Sequence, residues 1–286
     1  MIFRIILGLY LTIHFIQLVP YAEELFGNEM PYDPKLSPVY GIFPNVLEHV
    51  NATYFLIFLV AVSILFTCEV YPRISALILY YGWAALFNRN LFISNPGLPY
   101  LGFILLAMTL VESDPKRVLF NTNNRFLKYI QHDRLPKRIF WSAWILMAAG
   151  YTFSGLHKLM VSPSWVDGSA LQHVLESCLA RDNFLRDLLL QFPFFLKINT
   201  WISLFLEISF LPLGVFYYTR PVYWGLYMGL HLGILALVNF SDLTIGVLMI
   251  HLMTFEWSWS AKFNDFMADK VQRKINERYG THIKVF

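Results

Sequence analysis

Charge is what this sequence has least of. Only 14% of the 286 residues are Asp, Glu, Lys or Arg, where a water-soluble domain of this size carries roughly a quarter. The formal net charge is +3, and no basic cluster is interleaved with a platform of aromatic rings, which excludes a nucleic-acid partner. The two cysteines, Cys68 and Cys178, are too few for a disulfide framework. No two His or carboxylates share an i,i+4 spacing within a predicted helix, so no metal site is expected. Internal repeats and low-complexity tracts are also lacking.

Present instead are apolar and aromatic side chains. Hydrophobic residues make up 57%, with 26 Phe, 16 Tyr and 8 Trp. Apolar stretches fall near 2–20, 52–71, 74–93, 98–112, 139–160, 198–217, 221–240 and 242–256, several of them close to the ~20 residues of a spanning helix. The expectation is an all-α polytopic integral membrane bundle of about eight transmembrane helices, with the lipid bilayer as its first partner. Ser94-Asn95-Pro96-Gly97 reads as a turn between the third and fourth stretches. Asn239-Phe240-Ser241-Asp242 separates the last two, and its polar residues suit a cap for the eighth helix. Arg4 before an apolar run resembles a signal peptide. His14 and Gln17 interrupt that run, however, and no small-x-small cleavage site follows, so it reads as a retained helix.

Lysine and arginine bias sets the orientation. The 113–138 connection carries Lys116, Arg117, Arg125, Lys128, Arg134, Lys137 and Arg138. The 21–50 and 161–196 loops are acidic. Basic segments inside and acidic loops outside place both termini in the cytoplasm. The membrane domain is then 1–256, followed by a basic amphipathic tail at 257–286 that reads as an interfacial helix. A bacterial inner membrane is the expected location, or the endoplasmic reticulum in a eukaryote. Cys68 and Cys178 fall on opposite sides in this arrangement and cannot pair. Asn51-Ala52-Thr53 matches a glycosylation sequon that abuts the membrane.

Ionisable residues inside spans are functional candidates, and His14, Glu207, His231 and His251 qualify. Interhelical hydrogen bonding is the plainer role for His14 and His251. A carboxylate in lipid must be paired or protonated, which singles out Glu207. Lys158 sits near the outer end of the fifth helix beside His157, with Ser154 and Tyr151 on its own side at i−4 and i−7. A lysine there can snorkel to the headgroups. A Ser/Gly face suggests instead that it turns into the bundle, where a desolvated amine can act as a base.

The block Gly155-x-x-Lys158-Leu159 followed by Trp165-Val166-Asp167-Gly168 resembles the signature of the vitamin K-dependent γ-carboxylase and its bacterial relatives, which share the HTTM domain. Glu207, Arg220, His231 and Ile245-Gly246 continue the likeness over about residues 140–250, and Asn88-Arg89-Asn90 and Asn95-Pro96-Gly97 extend it upstream. The resemblance implies a lipid-embedded site for a reduced quinone, vitamin K hydroquinone or menaquinol, with O2 and CO2 as co-substrates. Lys158 would be the base that deprotonates the quinol. The oxygenated species then takes a proton from a peptide glutamate, and CO2 adds to the carbanion. Tyr151, Ser154, His157, Trp165, Glu207 and His231 would line the binding site.

Two departures weigh against full carboxylation. Carboxylases carry a histidine just after an asparagine before the fourth helix, where this chain has Pro96-Gly97-Leu98. They also carry a large exterior C-terminal region in place of the 257–286 tail. An alternative reading is a non-catalytic maturation or immunity factor that binds a secreted peptide. A small transporter is a third reading, disfavoured by the missing inverted repeat.

Overall fold

The computed structural model describes residues 2–28, 46–111, 135–256 and 258–259. Most of the 113–138 connection, the middle of the 21–50 loop and nearly all of the predicted tail helix lie outside the described residues. Among the described residues the protein is helical, with no strand; the one β-type contact is an isolated bridge between Ala180 and Val238.

Among the described residues, eight helices of 13 to 25 residues carry the fold. They are α1 (Ile2–Leu18), α2 (Ala52–Thr67), α3 (Pro72–Arg89), α4 (Gly97–Leu110), α5 (Lys137–Val161), α6 (Pro193–Gly214), α7 (Arg220–Leu237) and α8 (Ser241–Met253). Each falls on one of the apolar stretches. Among the described residues, three helical runs are long and apolar enough to cross a membrane: Phe3–Phe26, which continues α1 through a 3-10 turn and a short helix, Lys137–Val161 and Pro193–Gly214. Ala52–Thr67, Gly97–Leu110 and Leu243–Met253 are shorter apolar helices.

Local chemistry explains several boundaries. Asn51 caps α2 by accepting from the Tyr54 N–H at 3.1 Å, and Glu23 Oε1 accepts from the Thr53 N–H at 3.1 Å and also from its hydroxyl. The two polar residues of the sequon, Asn51 and Thr53, therefore both serve the helix start. Asn95 Oδ1 accepts from the Gly97 N–H at 2.8 Å, closing the expected turn. The Asn239–Asp242 segment does precede α8, but the cap position falls on its apolar member: α8 begins at Ser241, and Phe240 holds the cap position without a side-chain bond.

The helices pack as a continuous series. α1 lies on α2, α2 on α3, α3 on α4, α4 on α8, α8 on α7, α7 on α6 and α6 on α5. Small residues let backbones meet at two of these contacts. A Cβ on Gly97 would stand 2.6 Å from the Leu243 carbonyl, and one on Gly155 would stand 2.8 Å from Glu207 Cβ and 2.9 Å from the Ile208 nitrogen. The α5–α6 contact therefore brings Lys158 and Glu207 together.

Candidate functional site

Glu207 is the residue around which α5 and α6 organise. Its Oε1 accepts from Lys158 Nζ at 2.6 Å, and its Oε2 receives the Ser154 hydroxyl at 3.4 Å. The carboxylate side chain is 8% exposed and the lysine 26%. The ammonium lies 4.2 Å from the Trp165 ring centroid, within cation–π range. Lys158 thus turns inward and does not snorkel.

One residue of α5 repairs the helix that carries Glu207. Pro212 lies inside α6 and cannot donate to the Ile208 carbonyl four residues earlier. The Thr152 hydroxyl shares its single hydrogen, in a three-centre bond, between the Glu207 carbonyl at 3.1 Å and that of Ile208 at 3.4 Å, and it accepts from the Leu211 N–H at 3.0 Å. A side chain from the neighbouring helix is inserted into the hydrogen-bond ladder of α6 at the turn that presents the carboxylate.

The Trp165–Gly168 block forms the outer wall. Gly168 is buried at φ +88, and a Cβ there would meet Lys197 Cγ at 2.6 Å and Trp201 Cε2 at 3.1 Å. Only glycine suits both the dihedral and the space. Trp201 Nε1 donates to the Val166 carbonyl at 3.0 Å. Asp167 accepts from the Ser169 N–H at 2.8 Å. The Ser169 side chain and backbone together hold its carboxyl below the usual range, although it is fully exposed. An open depression of about 400 Å³, lined by Leu159, Met160, Val161, Ser162, Pro163, Val166 and Asp167, starts one residue past Lys158.

Tyr151 lies two turns below Lys158 in a second cluster. Its hydroxyl is 2.6 Å from His231 Nε2 and 3.0 Å from His251 Nε2. The rings of Tyr227 and Phe210 pack on it at 4.1 and 5.3 Å. Farther along α5, the Arg220 guanidinium is bound to Glu256 at 2.6 Å and lies 4.4 Å from the Trp141 ring. Glu207 is within electrostatic reach of Tyr100, Tyr151 and Tyr227, and Lys158 of His231.

Six of the seven residues singled out from the sequence thus fall into two adjoining groups: Lys158, Glu207, Ser154 and Trp165 in the outer one, Tyr151 and His231 in the inner one. His157 is exposed on another face of α5. Glu207 touches the lysine directly, whereas His231 touches the tyrosine, so the two do not share one set of partners. Nothing in their own stretch of sequence singles out Thr152 or Tyr227, and His251 makes an interhelical hydrogen bond, the plainer of the two roles its position suggests. Pro212 was the available signal for Thr152, because a proline inside a membrane-type helix requires a compensating donor. Among the described residues no group of three or more His, Cys, Asp or Glu could hold a metal ion. No family model matches the chain, and comparison with curated proteins and with solved structures yields no match either.

Proposed function

We propose that this protein is an integral membrane enzyme of the γ-carboxylase-like class, in which Lys158 takes a proton from a reduced quinone whose oxidation by O2 is coupled to modification of a glutamate-containing peptide. In this reading all eight helices cross the bilayer. Both termini are cytoplasmic, and the Trp165–Gly168 wall faces the periplasm or lumen.

The observation that carries the reading is the 2.6 Å contact between Lys158 Nζ and Glu207 Oε1 beside an apolar depression. A single proton on that contact can sit on either partner. When it sits on the carboxylate, the lysine has a lone pair and the pair as a whole remains neutral, which a water-poor site tolerates far better than a separated charge. Glu207 therefore supplies what a membrane-embedded amine base requires, a place to keep its proton. Trp165 holds the amine against Glu207 through its ring face, and a quinol bound at the neighbouring depression would bring its hydroxyl to this pair.

The test is epoxide formation from vitamin K hydroquinone by purified protein. Lys158→Ala should abolish it while the purified protein remains folded in detergent. Lys158→Arg should fail as well, because a guanidinium has no accessible neutral form. Wild-type activity in Lys158→Arg, or no epoxide from the wild type with any quinol, would overturn the assignment.

One observation favours the alternative, a non-catalytic factor that binds a secreted peptide. The segment where carboxylases carry a histidine is here committed to packing. Asn95 closes its turn on the Gly97 N–H, and Gly97 lies against Leu243. In that reading the depression holds a peptide side chain and Lys158 is its counter-ion.

A further inference from the structure

We infer that Tyr151, His231 and His251 form a proton wire through the interior of the bundle, with the unbonded Nδ1 atoms of the two histidines as its ends. The inference adds to the quinol reading, which it would supply with a route for protons, but its geometry is independent of that reading.

Valence dictates the argument. The Tyr151 hydroxyl has one hydrogen, yet it lies within hydrogen-bond distance of two imidazole nitrogens, at 2.6 Å and 3.0 Å. It can donate to only one of them. The other histidine must donate its Nε2–H to the phenol oxygen. Two neutral histidines on this hydroxyl are therefore opposite tautomers. The shorter contact has the length of an O–H donor and the longer one that of an N–H donor, which makes His231 the acceptor and His251 the donor.

Each tautomer fixes the far side of its ring. His231 then carries a hydrogen on Nδ1, and His251 has a bare lone pair there. Both Nδ1 atoms are buried and neither has a hydrogen-bond partner, in residues that are 5% and 0% exposed. A buried donor and a buried acceptor left open at opposite ends of one chain are costly if the chain serves only to hold helices together. They are the required termini of a relay. A proton arriving at His251 Nδ1 forms an N–H bond there, and the Nε2 proton moves to the Tyr151 oxygen. The Tyr151 proton then moves to His231 Nε2, and the His231 Nδ1 proton leaves. One N–H bond is made and one broken at each histidine, and one O–H bond is made and one broken at the tyrosine. No charge remains, and the tautomers end reversed, so the next proton travels the opposite way. The His231 end is the one that feels Lys158. Phe210 and Tyr227 pack against the Tyr151 ring and hold the hydroxyl in place.

The test is nitrogen-15 NMR of histidine-labelled protein in nanodiscs, with the two signals assigned through His231→Gln and His251→Gln. The wild type should show neutral, opposite tautomers, His231 protonated at Nδ1 and His251 at Nε2, exchanging with one shared rate constant. In Tyr151→Phe the exchange should become independent at the two rings. Identical tautomers, a cationic ring at neutral pH, or independent exchange in the wild type would each overturn the wire. Menadiol serves as the second probe. If the wild type oxidises it, Tyr151→Phe should lower kcat by roughly a hundredfold at constant KM and remove the solvent deuterium effect. An unchanged kcat would reduce the triad to packing. A wild type inert toward menadiol would count against the quinol reading, while the NMR result alone would decide the wire.

Discussion

At the scale of single residues, the chemistry rests on how Glu207 is neutralised. Removing one partner of a buried pair leaves an uncompensated charge, and here the lysine is only partly screened. Glu207→Gln and Lys158→Met should each cost about 1 to 3 kcal/mol of detergent stability. The double variant should cost less than their sum, because the second change removes the charge that the first left behind. Chemical denaturation of the four proteins measures this, and strict additivity would mean the pair is not coupled. Asp167 gives a simpler case. Its carboxyl is held below the usual range by Ser169, so its contribution to the local turn is present above the ordinary carboxylate range and disappears as pH falls through the lowered value. Ser169→Ala should move the Asp167 titration upward, as followed by carbon-13 NMR; an unmoved titration would remove the Ser169 hydroxyl as a cause and leave only the backbone N–H.

At the scale of elements, α6 cannot be understood apart from α5. Thr152 supplies a donor in place of the N–H that Pro212 lacks, and an acceptor for the Leu211 N–H of the same turn. Thr152→Val should therefore destabilise the protein by about 1 to 3 kcal/mol, measured as a lowered melting temperature in detergent. The same change in a Pro212→Ala background should cost distinctly less, since a restored N–H can satisfy the Ile208 carbonyl. Equal costs in both backgrounds would show that Thr152 acts through something other than the ladder. This element also marks how far a sequence can be read. The eight apolar stretches and the Asn95–Gly97 turn were legible because hydrophobic runs and turn chemistry are local. The inward turn of Lys158 was legible from Ser154 and Gly155 on its own face. The bridge from Tyr151 to His251 was not, because it depends on where α8 lands against α5, one hundred residues away. The role of Glu207 was half legible: its need for a partner follows from burial, but the identity of that partner follows from the close approach at Gly155.

At the scale of the whole molecule, the proposed topology makes a prediction that uses a native side chain. Cys178 is exposed and Cys68 half-buried, and both are free thiols. A membrane-impermeant maleimide applied to intact cells should label Cys178. In a Cys68→Ser/Cys178→Ser background, cysteines replacing Lys35 and Leu185 should label from outside, and those replacing Thr122 and Ile275 only after permeabilisation. Outside labelling at position 275 would require an odd number of crossings. The repair of α6 by α5 reaches further, into how the protein is made. On leaving the ribosome α6 carries a carboxylate, a helix-interior proline and an interrupted hydrogen-bond ladder, each a reason for the insertion machinery to reject it from lipid. All three liabilities are answered by residues of one earlier segment, Lys158, Ser154 and Thr152. In the proposed topology the sixth helix would then enter the bilayer along a fifth already in place, which makes the order of synthesis part of the design of the site.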